Sequence, residues 1–571
     1  PTAVFVDLYS RELCEALIRA LHNLLVLSGY RASNQRKVEA SQEHVRSLFR
    51  TLRAGQAVKA VKYMTSFYLP RLVGDVEPER PDFLAEASTL FAGTYAKFVK
   101  NLFRGRGAAV GHGVRHTYGN PSDKQLSFAY SILMLKKALP PLPEELRLEA
   151  MDDCMKRLTD ARVTPEALLE QVERTANEFF PLGWDRKMRV PSFAVTNKSC
   201  FERTRGAGGA HELMFTRKGE LIYEPVDNRR SILEQWANMA PEPGCHSRFT
   251  GQERYVDRAL RSQPKQLFAA MEVVEDPLKA RIITKNNWVC TVLKPLQKMI
   301  HSKLRVEEPF ELIGRPLDAD VIAKLERFAG SKWVSGDYSA ATDNFHSDVT
   351  EAALEAILMN MRGELSRSPE FMLLAKRSLT GLMVGTPDCK PGPGFQLMKR
   401  GQLMGSLLSF PILCLVNFAI WRHATELAYG VRCNGKGMGG AFDHVRVNGD
   451  DIGFAATQKH YSIWMGLVPQ VGLHPSPGKN YFTGRFITLN SELYVWRDGG
   501  MVKLGYWNQG LLLPAGSYEE GGKTGPVELL ESLGPMHDLF AEGGKNKELA
   551  SCIFIGAHKG ELKSTWRNLF G

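Results

Sequence analysis

Residues 447–454 read VNGDDIGF and place two carboxylates side by side between short apolar runs. Asn448 and Gly449 both tolerate positive φ, so the stretch predicts a tight β-hairpin with Asp450 and Asp451 at its tip. One interpretation is a plain surface turn in which water solvates both acids. The other is that a divalent cation offsets their repulsion, because hard cations prefer carboxylate oxygens. The second interpretation requires further carboxylates elsewhere in the chain.

A second acidic stretch, KWVSGDYSAATDNFHSD, lies upstream at residues 332–348. Residues 333–338 predict a short strand with Asp337 at its end, and a helix is predicted to follow. Asp343 fits either a binding role or a plain helix N-cap. Asp337 and Asp450 can meet only if their strands are neighbours. They would then form a site for two divalent ions about 4 Å apart, the arrangement that serves phosphoryl transfer.

Between the acidic stretches, residues 401–417 read GQLMGSLLSFPILCLVN. Gly405 and Ser406 predict a small-residue loop, in which the backbone can approach a ligand closely. A helix is predicted to start near Ser409, which places Asn417 about two turns into it. The amide of Asn417 could donate to, or accept from, a ribose hydroxyl.

Two basic stretches lie on either side of these segments. In residues 274–288, VEDPLKARIITKNNW, Lys279 and Arg281 share one face of a predicted strand and could clamp phosphate oxygens. In residues 474–482, HPSPGKNYF, Lys479 follows a Pro-Gly turn. Each stretch also fits a solvated surface position, so neither decides the function alone.

The composition is that of a globular protein with several structural units. The 571 residues are 44% apolar and 24% charged, and 73 Lys and Arg against 62 Asp and Glu give a net charge of +11. Excess positive charge is compatible with a polyanionic partner such as nucleic acid. The nine cysteines are an odd number without a CxxC pair, which excludes a recognisable disulfide framework or zinc site and favours a reducing compartment.

Neither a leader nor a membrane span is predicted. Residues 1–27 carry early acids and a helical repeat of leucines, which indicates an ordinary amphipathic helix; the leucines are Leu13, Leu17, Leu21 and Leu24. Residues 402–421 have the length of a membrane span. Gly, Ser, Pro and Asn interrupt them, so a buried core helix is the better interpretation.

Residues 1–180 are predicted to be mostly helical, with one basic, Gly-rich interruption at 97–124. Its interleaved aromatic residues suit single-stranded nucleic acid, although a plain surface loop fits equally well. Residues 516–524, GSYEEGGKT, resemble a phosphate-binding P-loop, but the glycine spacing is one residue off. A surface loop is therefore predicted there.

The order of these motifs resembles that of viral RNA-dependent RNA polymerases. A basic strand, D-x5-D, Gly-Ser before a helix with Asn, Gly-Asp-Asp, and a turn with Lys correspond to motifs F, A, B, C and D. The wording DYSAATDN, GQLMGSLLSFPILCLVN and VNGDDIGF is most similar to the ourmia-like viruses of plants and fungi (the botourmiaviruses), relatives of the narnaviruses. The resemblance covers residues 274–496.

This resemblance implies an α+β, right-hand fold of fingers, palm and thumb, with an antiparallel-sheet palm and a largely helical N-terminal region. The implied divisions are an N-terminal extension with fingers at 1–180, fingers with motif F at 181–330, palm at 331–360, a fingers insertion at 361–400, palm with motifs B to E at 401–500, and thumb at 501–571. The implied activity is template-directed addition of nucleoside triphosphates to RNA, which would replicate a positive-strand viral genome.

The resemblance also implies a role for each candidate residue. Asp337 and Asp450 would hold two Mg²⁺ ions, or Mn²⁺, with Asp451 assisting. Lys279 and Arg281 would neutralise the triphosphate. The remaining roles are ribose selection by Asp343, Ser406 and Asn417, close substrate approach at Gly405, and donation of a proton to the leaving pyrophosphate by Lys479.

The implied partners are a single-stranded RNA template, the nascent RNA, nucleoside triphosphates and the virus's own genome. The implied state is a monomer in the host cytoplasm without a membrane partner. Two rival functions stay open, namely a reverse transcriptase and a non-catalytic RNA-binding scaffold. Reverse transcriptases usually have an aromatic residue two places before the Asp pair, where this chain has Asn448.

Overall fold

The structure is a computed structural model that describes residues 5–28, 35–84, 121–213, 256, 259–325, 327–386, 394–433, 445–497, 499–511, 547–557 and 559. Most of the basic segment at 97–124, the loop at 516–524 and most of the predicted thumb lie outside the described residues.

Helices make up most of the regular structure in the described chain. They are α1 (Leu8–Leu27), α2 (Gln35–Phe49), α3 (Ala54–Ser66), α4 (Tyr68–Val73), α5 (Asp123–Met134), α6 (Glu144–Thr159), α7 (Glu166–Phe179), α8 (Gly209–Glu212), α9 (Lys294–Leu304), α10 (Ala319–Ala323), α11 (Ala341–Asn344), α12 (Ser347–Met359), α13 (Pro369–Arg377), α14 (Ser409–Tyr429), α15 (Gln458–Leu467) and α16 (Lys547–Ala557). Short 3₁₀ turns occupy Leu135–Ala138, Arg205–Ala207, Trp288–Leu293, Glu308–Phe310, Leu365–Arg367, Val468–Val471 and Gln509–Leu511.

The strands form three sheets. They are β1 (Phe268–Asp276), β2 (Lys279–Asn286), β3 (Lys332–Gly336), β4 (Met383–Gly385), β5 (Gln396–Leu397), β6 (Val445–Asn448), β7 (Asp451–Ala456), β8 (Tyr481–Thr483), β9 (Phe486–Leu489), β10 (Glu492–Arg497) and β11 (Gly500–Lys503). The sheet orders are β2-β1-β4-β5, β6-β7-β3-β8 and β11-β10-β9.

The central sheet, β6-β7-β3-β8, is antiparallel throughout, as predicted for the palm. In its middle pair Lys332 lies opposite Ala456 and Gly336 opposite Ile452. A side chain on Gly336 would clash with Ile452, since an added Cβ would lie 2.5 Å from its Cγ2. This glycine therefore lets the end of β3 lie close to the start of β7.

A second sheet lies beside the first and contains the predicted basic strand. β1 and β2 form an antiparallel hairpin, and β1 also pairs with β4 in parallel. The turn between β1 and β2 contains Leu278, which is 2% exposed and has a φ of 57°. A branched side chain rarely adopts this left-handed conformation, so packing must hold it there. Leu278 is buried among apolar residues of the N-terminal helices.

The N-terminal region is helical, as predicted. The backbone N–H of Ser10 donates to the Asp7 carboxylate at 2.7 Å, which caps the start of α1. The four leucines at helical spacing are all buried in the N-terminal core.

The N-terminal helices also pack on strands that follow about 350 residues later in the chain. One apolar cluster joins α4 and α5 to β8, β9 and β10; its members include Leu69, Tyr130, Tyr481, Phe486 and Val495. In addition, the Gln509 amide donates to the Ala20 carbonyl at 2.7 Å. The N-terminal region is therefore part of the same packed body as these strands.

The helix predicted from the apolar stretch 402–421 is α14, and it is buried in the largest core. Among the described helices, none is long and apolar enough to cross a bilayer. This confirms the interpretation of the stretch as a core helix.

Two local expectations were wrong. Asp343 lies inside the short helix α11, whereas α12 begins after His346, so Asp343 does not cap α12. The strand expected over residues 333–338 ends at Gly336, and Asp337 is the first residue beyond it. The first difference follows from α11, which separates Asp343 from the start of the long helix.

Candidate active site

Three aspartates, Asp337, Asp450 and Asp451, meet at one edge of the central sheet and form what we call the acid cluster. Since Gly336 lies opposite Ile452, the same register places Asp337 beside Asp451. Asp450 occupies the hairpin turn that precedes Asp451. The condition that the strands next to Asp337 and Asp450 be neighbours is therefore met.

The hairpin turn lies one residue further along the chain than the sequence suggested. Asn448 pairs with Asp451, so the two loop residues are Gly449 and Asp450 rather than Asn448 and Gly449. Gly449 takes the positive φ, 70°, as the first position of a type II′ turn requires. The turn therefore uses its glycine for the backbone and leaves Asp450 at the tip.

Helix α14 holds this turn in place. The Gly449 N–H donates to the Cys414 sulfur at 3.1 Å, and the Asn417 amide donates to the Gly449 carbonyl at 3.1 Å. The Asn417 oxygen in turn accepts from the Tyr338 hydroxyl at 2.8 Å. Asn417 is fully buried, at 0% exposed, and connects the hairpin to the residue that follows Asp337.

The segment that carries Lys479 positions Asp337 from the other side. The Asn480 side chain accepts from the Asp337 N–H at 3.1 Å and donates to the Asp337 carbonyl at 3.0 Å. The Lys479 ammonium donates to the Asp337 carboxylate at 2.8 Å. The predicted lysine therefore reaches the acid cluster directly.

The pKa values of Asp450 and Asp451 are raised above the ordinary value for an aspartate. Desolvation, followed by the charges of Asp450 and Asp337, raises the pKa of Asp451 to about 7. Desolvation and the charge of Asp337 likewise raise the pKa of Asp450, although Lys279 and Lys479 oppose this shift. A nearby positive charge stabilises crowded carboxylates of this kind in their ionised form, and Lys479 supplies part of that charge.

The oxygen donors of the acid cluster fit a hard divalent ion, and the Lys479 ammonium stands where such an ion would supply charge. Within the described ranges, however, three or more His, Cys, Asp or Glu side chains are nowhere grouped with the geometry to hold a metal. The two-ion site therefore stays a prediction.

The two basic residues of β2 lie on one exposed face, as predicted. Arg281 donates to Asp276 across the hairpin at 2.7 Å. Desolvation and the positive charges of Arg281 and Lys479 lower the pKa of Lys279, while Asp337 and Asp450 raise it. Lys279 is therefore close enough for the charge of the acid cluster to affect its pKa.

The Gly-Ser loop before α14 packs on β2. Gly405 has a φ of 137°, and an added Cβ would lie 2.3 Å from the Thr284 carbonyl oxygen. The Asn286 amide donates to the Ser406 hydroxyl at 2.8 Å, and that hydroxyl donates to the Ser378 carbonyl at 3.3 Å. The loop is thus tied to the strand that carries Lys279.

Each of the residues predicted to select ribose bonds to other partners in the structure. Asp343 accepts from Arg157 at 3.1 Å, and its side chain is 15% exposed. Asn417 is occupied by Tyr338 and Gly449, and Ser406 by Asn286 and Ser378. Their shared role in ribose selection stays a prediction.

Sequence reasoning missed four residues at this site, namely Asn480, Arg157, Lys62 and Lys136. Asn480 is the residue after Lys479, so its position was available as a signal. Arg157 lies on α6, and Lys62 and Lys136 belong to the N-terminal helical region. Nothing in their local sequence distinguishes them from ordinary surface cations.

The fold is that of the right-hand polymerases. It is similar to the crystal structure of the RNA-dependent RNA polymerase of a human picobirnavirus, with a TM-score of 0.50 at 12% identity, over 76% of this chain and 78% of that one. At this level of identity the similarity establishes the fold alone.

Curated relatives confirm the resemblance to ourmia-like and narnavirus-related polymerases. The chain is 29% identical over 466 residues to the RNA-dependent RNA polymerase of Ourmia melon virus, covering 76% of this chain and 51% of that protein. It is 24% identical over 373 residues to the RNA-directed RNA polymerase of the Saccharomyces 23S RNA narnavirus, covering 62% of this chain and 37% of that protein. The chain thus spans about half the length of the first relative and less of the second. No protein-family model matches it.

Proposed function

We propose that this chain is a viral RNA-directed RNA polymerase that replicates a positive-strand RNA genome by two-metal-ion nucleotidyl transfer. The observation that carries the proposal is the meeting of Asp337 with Asp450 and Asp451 at one sheet edge, with Lys479 in contact. The predicted domain divisions are part of this proposal.

The acid cluster would hold two divalent ions, Mg²⁺ or Mn²⁺. When bound, such ions activate the primer 3′-hydroxyl and neutralise the triphosphate. The raised pKa values of Asp450 and Asp451 support this assignment, because an ion would relieve the repulsion that raises them.

Lys279 and Arg281 would bind the triphosphate oxygens of the incoming nucleotide. Arg281 would exchange its contact with Asp276 for the phosphate. Lys479 would leave Asp337 and carry a proton on its Nζ to the departing pyrophosphate. Base pairing with the template, rather than a side chain, would choose the nucleotide.

Asp343, Ser406 and Asn417 would recognise the 2′-hydroxyl of the incoming ribose, with Gly405 allowing close approach of the backbone. Because each of these side chains has another partner in this structure, recognition requires at least one of those bonds to open. Asp343 is the most accessible candidate, since its partner Arg157 is 33% exposed.

The partners would be a single-stranded RNA template, nascent RNA and nucleoside triphosphates, and the genome would be the virus's own. The chain would act as a monomer in the host cytoplasm without a membrane partner. The net charge of +11 supports an RNA partner.

RNA synthesis on a short single-stranded template tests the proposal. The wild type should make product from the four ribonucleotides with Mg²⁺ or Mn²⁺, and none with EDTA. Asp450→Ala should lose at least about a thousandfold in rate because it removes a proposed ligand. Asp320→Ala, an exposed acid on α10, is the matched control and should retain activity.

Two results would redirect the assignment. Equal product from deoxynucleotides would indicate a reverse transcriptase. Tight RNA binding without synthesis by either the wild type or Asp450→Ala, across several templates and both metals, would favour the RNA-binding scaffold.

A further inference from the structure

Four lysines from distant parts of the chain converge near the acid cluster. They are Lys62 on α3, Lys136 after α5, Lys279 on β2 and Lys479 before β8. The first two belong to the N-terminal region, which the polymerase motifs do not cover.

Three of these lysines directly follow residues that belong to one apolar cluster. Val61, Leu135 and Leu278 are buried together in the N-terminal core. Each is followed directly in the chain by a lysine, namely Lys62, Lys136 and Lys279. The three lysines are therefore each attached next to a buried residue of the same core.

The fourth lysine is placed by the same region. A Cβ added to Gly478 would lie 3.1 Å from Pro78 Cγ and 3.2 Å from Ser66 Cβ, so the turn before Lys479 lies against the end of α3. Lys479 itself contacts Asp337 at 2.8 Å. The N-terminal helices thus stand directly beside the acid cluster.

Their electrostatic surroundings agree with this placement. Desolvation and the positive charges of Lys279 and Lys479 lower the pKa of Lys62. Desolvation and the charge of Lys479 lower the pKa of Lys136 to about 8, while Asp337 acts in the opposite direction. Within the described part of the chain, Lys479 pairs with Asp337, whereas Lys62, Lys136 and Lys279 have no carboxylate partner. Such crowding of like charges favours binding of an anion.

We propose that Lys62 and Lys136 form, with Lys279, a lysine wall that binds the polyphosphate of the incoming nucleotide and the pyrophosphate released from it. This inference rests on the proposed function, and it assigns the N-terminal helices a direct part in substrate binding. Leu278 acts as a positioning residue, because its burial fixes the hairpin tip that carries Lys279 against the core that carries Lys136.

Chemical labelling of the wild type tests the wall without any variant. At pH 8 Lys136 should acetylate faster than an ordinary surface lysine, because a larger fraction of its amine is uncharged. Inorganic pyrophosphate should protect Lys62 and Lys136 at least about fivefold and leave Lys187, an exposed lysine in the turn after α7, unprotected. Equal labelling of Lys62 and Lys136 with and without pyrophosphate would overturn the proposal.

Variants give a second, independent measure. Lys136→Gln should weaken pyrophosphate binding, measured by calorimetry, about tenfold, and so should the double variant that also carries Lys62→Gln. Both variants should raise the KM for nucleotide by a similar factor, with a smaller change in kcat. Lys187→Gln, at an exposed turn position after α7, is the charge-matched control. Affinity for a short single-stranded RNA without nucleotide should be unchanged.

The outcomes separate this inference from the proposed function. If RNA affinity falls and pyrophosphate binding does not, the lysines bind the RNA backbone and the inference is wrong. If the wild type makes no RNA but pyrophosphate still protects Lys62 and Lys136, the polyphosphate site stands and the polymerase assignment fails.

Discussion

At the scale of single residues, the acid cluster lowers the stability of the fold, and its proposed role in binding metal ions explains why it is present. Asp451 is desolvated beside two further carboxylates, which raises its pKa to about 7. An acid whose pKa is raised in the folded state stabilises the fold below its ordinary value of 3.8, and this contribution is lost as the pH rises through 7. Above pH 7 the ionised cluster therefore destabilises the protein unless a cation is bound.

Asp451→Asn should make the protein more stable while lowering its activity. In EDTA at pH 8 the variant should gain about 2–4 kcal/mol in the free energy of unfolding, because a neutral amide replaces the repelled carboxylate. Urea denaturation at pH 8 and pH 5 measures this, and the gain should shrink at the lower pH. Asp320→Asn, an exposed acid, should show no such gain. A loss of stability in EDTA would show that the carboxylate is already compensated.

At the scale of elements, the loop before α14 connects the acid cluster to the sheet that carries Lys279. Gly405 approaches the Thr284 backbone so closely that any side chain must displace the loop or the strand. Ser406 holds the same contact through Asn286. Displacement of this loop should therefore disturb both the hairpin turn, through α14, and the phosphate-binding strand.

Gly405→Ala should reduce the rate of RNA synthesis at least about tenfold and the free energy of unfolding by about 2–3 kcal/mol. Gly381→Ala is the matched control, since Gly381 also has a positive φ, 70°, but open space around it. Both variants place a side chain at a positive φ, and the φ of 137° at Gly405 is more strained for Ala than the left-handed φ at Gly381. Loss of activity in Gly405→Ala alone, measured by primer extension, shows that synthesis depends on the position of the loop before α14, whereas equal activity of the two variants would contradict that role.

At the scale of the whole molecule, buried neutral histidines make the fold sensitive to acid. His460 is 1% exposed between α14 and α15, and its burial lowers its pKa to about 4. Its ring nitrogens lie 3.2 Å from the Thr425 hydroxyl and 3.3 Å from that of Tyr429. The imidazole of His460 binds a proton more readily in the unfolded chain than in the folded one. Its contribution to the stability of the fold is therefore complete above about pH 6.5 and is lost as the pH falls to 4.

Lowering the pH from 7 to 4.5 should therefore reduce the free energy of unfolding, with His460 alone accounting for about 2–3 kcal/mol. Guanidinium denaturation at the two values measures the change. His460→Gln should lower stability at pH 7 but lose less on acidification than the wild type does. His22→Gln, at an exposed position on α1, should retain the wild-type dependence. An identical pH dependence in both variants would contradict the role of His460.

The sequence predicts the parts of this molecule whose signal is local. The leucine repeat of α1, the apolar run of α14 and the turn residues around Gly449 each specify their own element, and all three elements form. The approach of Asp337 to Asp450 was also predictable, because both acids follow strand signals. The hairpin loop shifted by one residue because strand pairing extended through Asn448.

Long-range packing explains what the sequence could not predict. The position of Lys136 depends on the core that Leu135 shares with Leu278, which lies 143 residues further along the chain. Arg157 contacts Asp343 across 186 residues. Neither pair forms a spaced motif, so only the folded structure connects them.

The packing of the N-terminal helices on late strands has a consequence for synthesis of the protein on the ribosome. Ala20 receives its hydrogen bond from Gln509 across 489 residues. At about 5–20 residues per second, α4 and α5 emerge roughly 20–80 s before the strands that cover them. During that interval the nascent chain exposes the apolar surface around Tyr130 and Leu69. Binding of chaperones to this surface, rather than the rate of chain elongation, would then determine how many translated copies can fold.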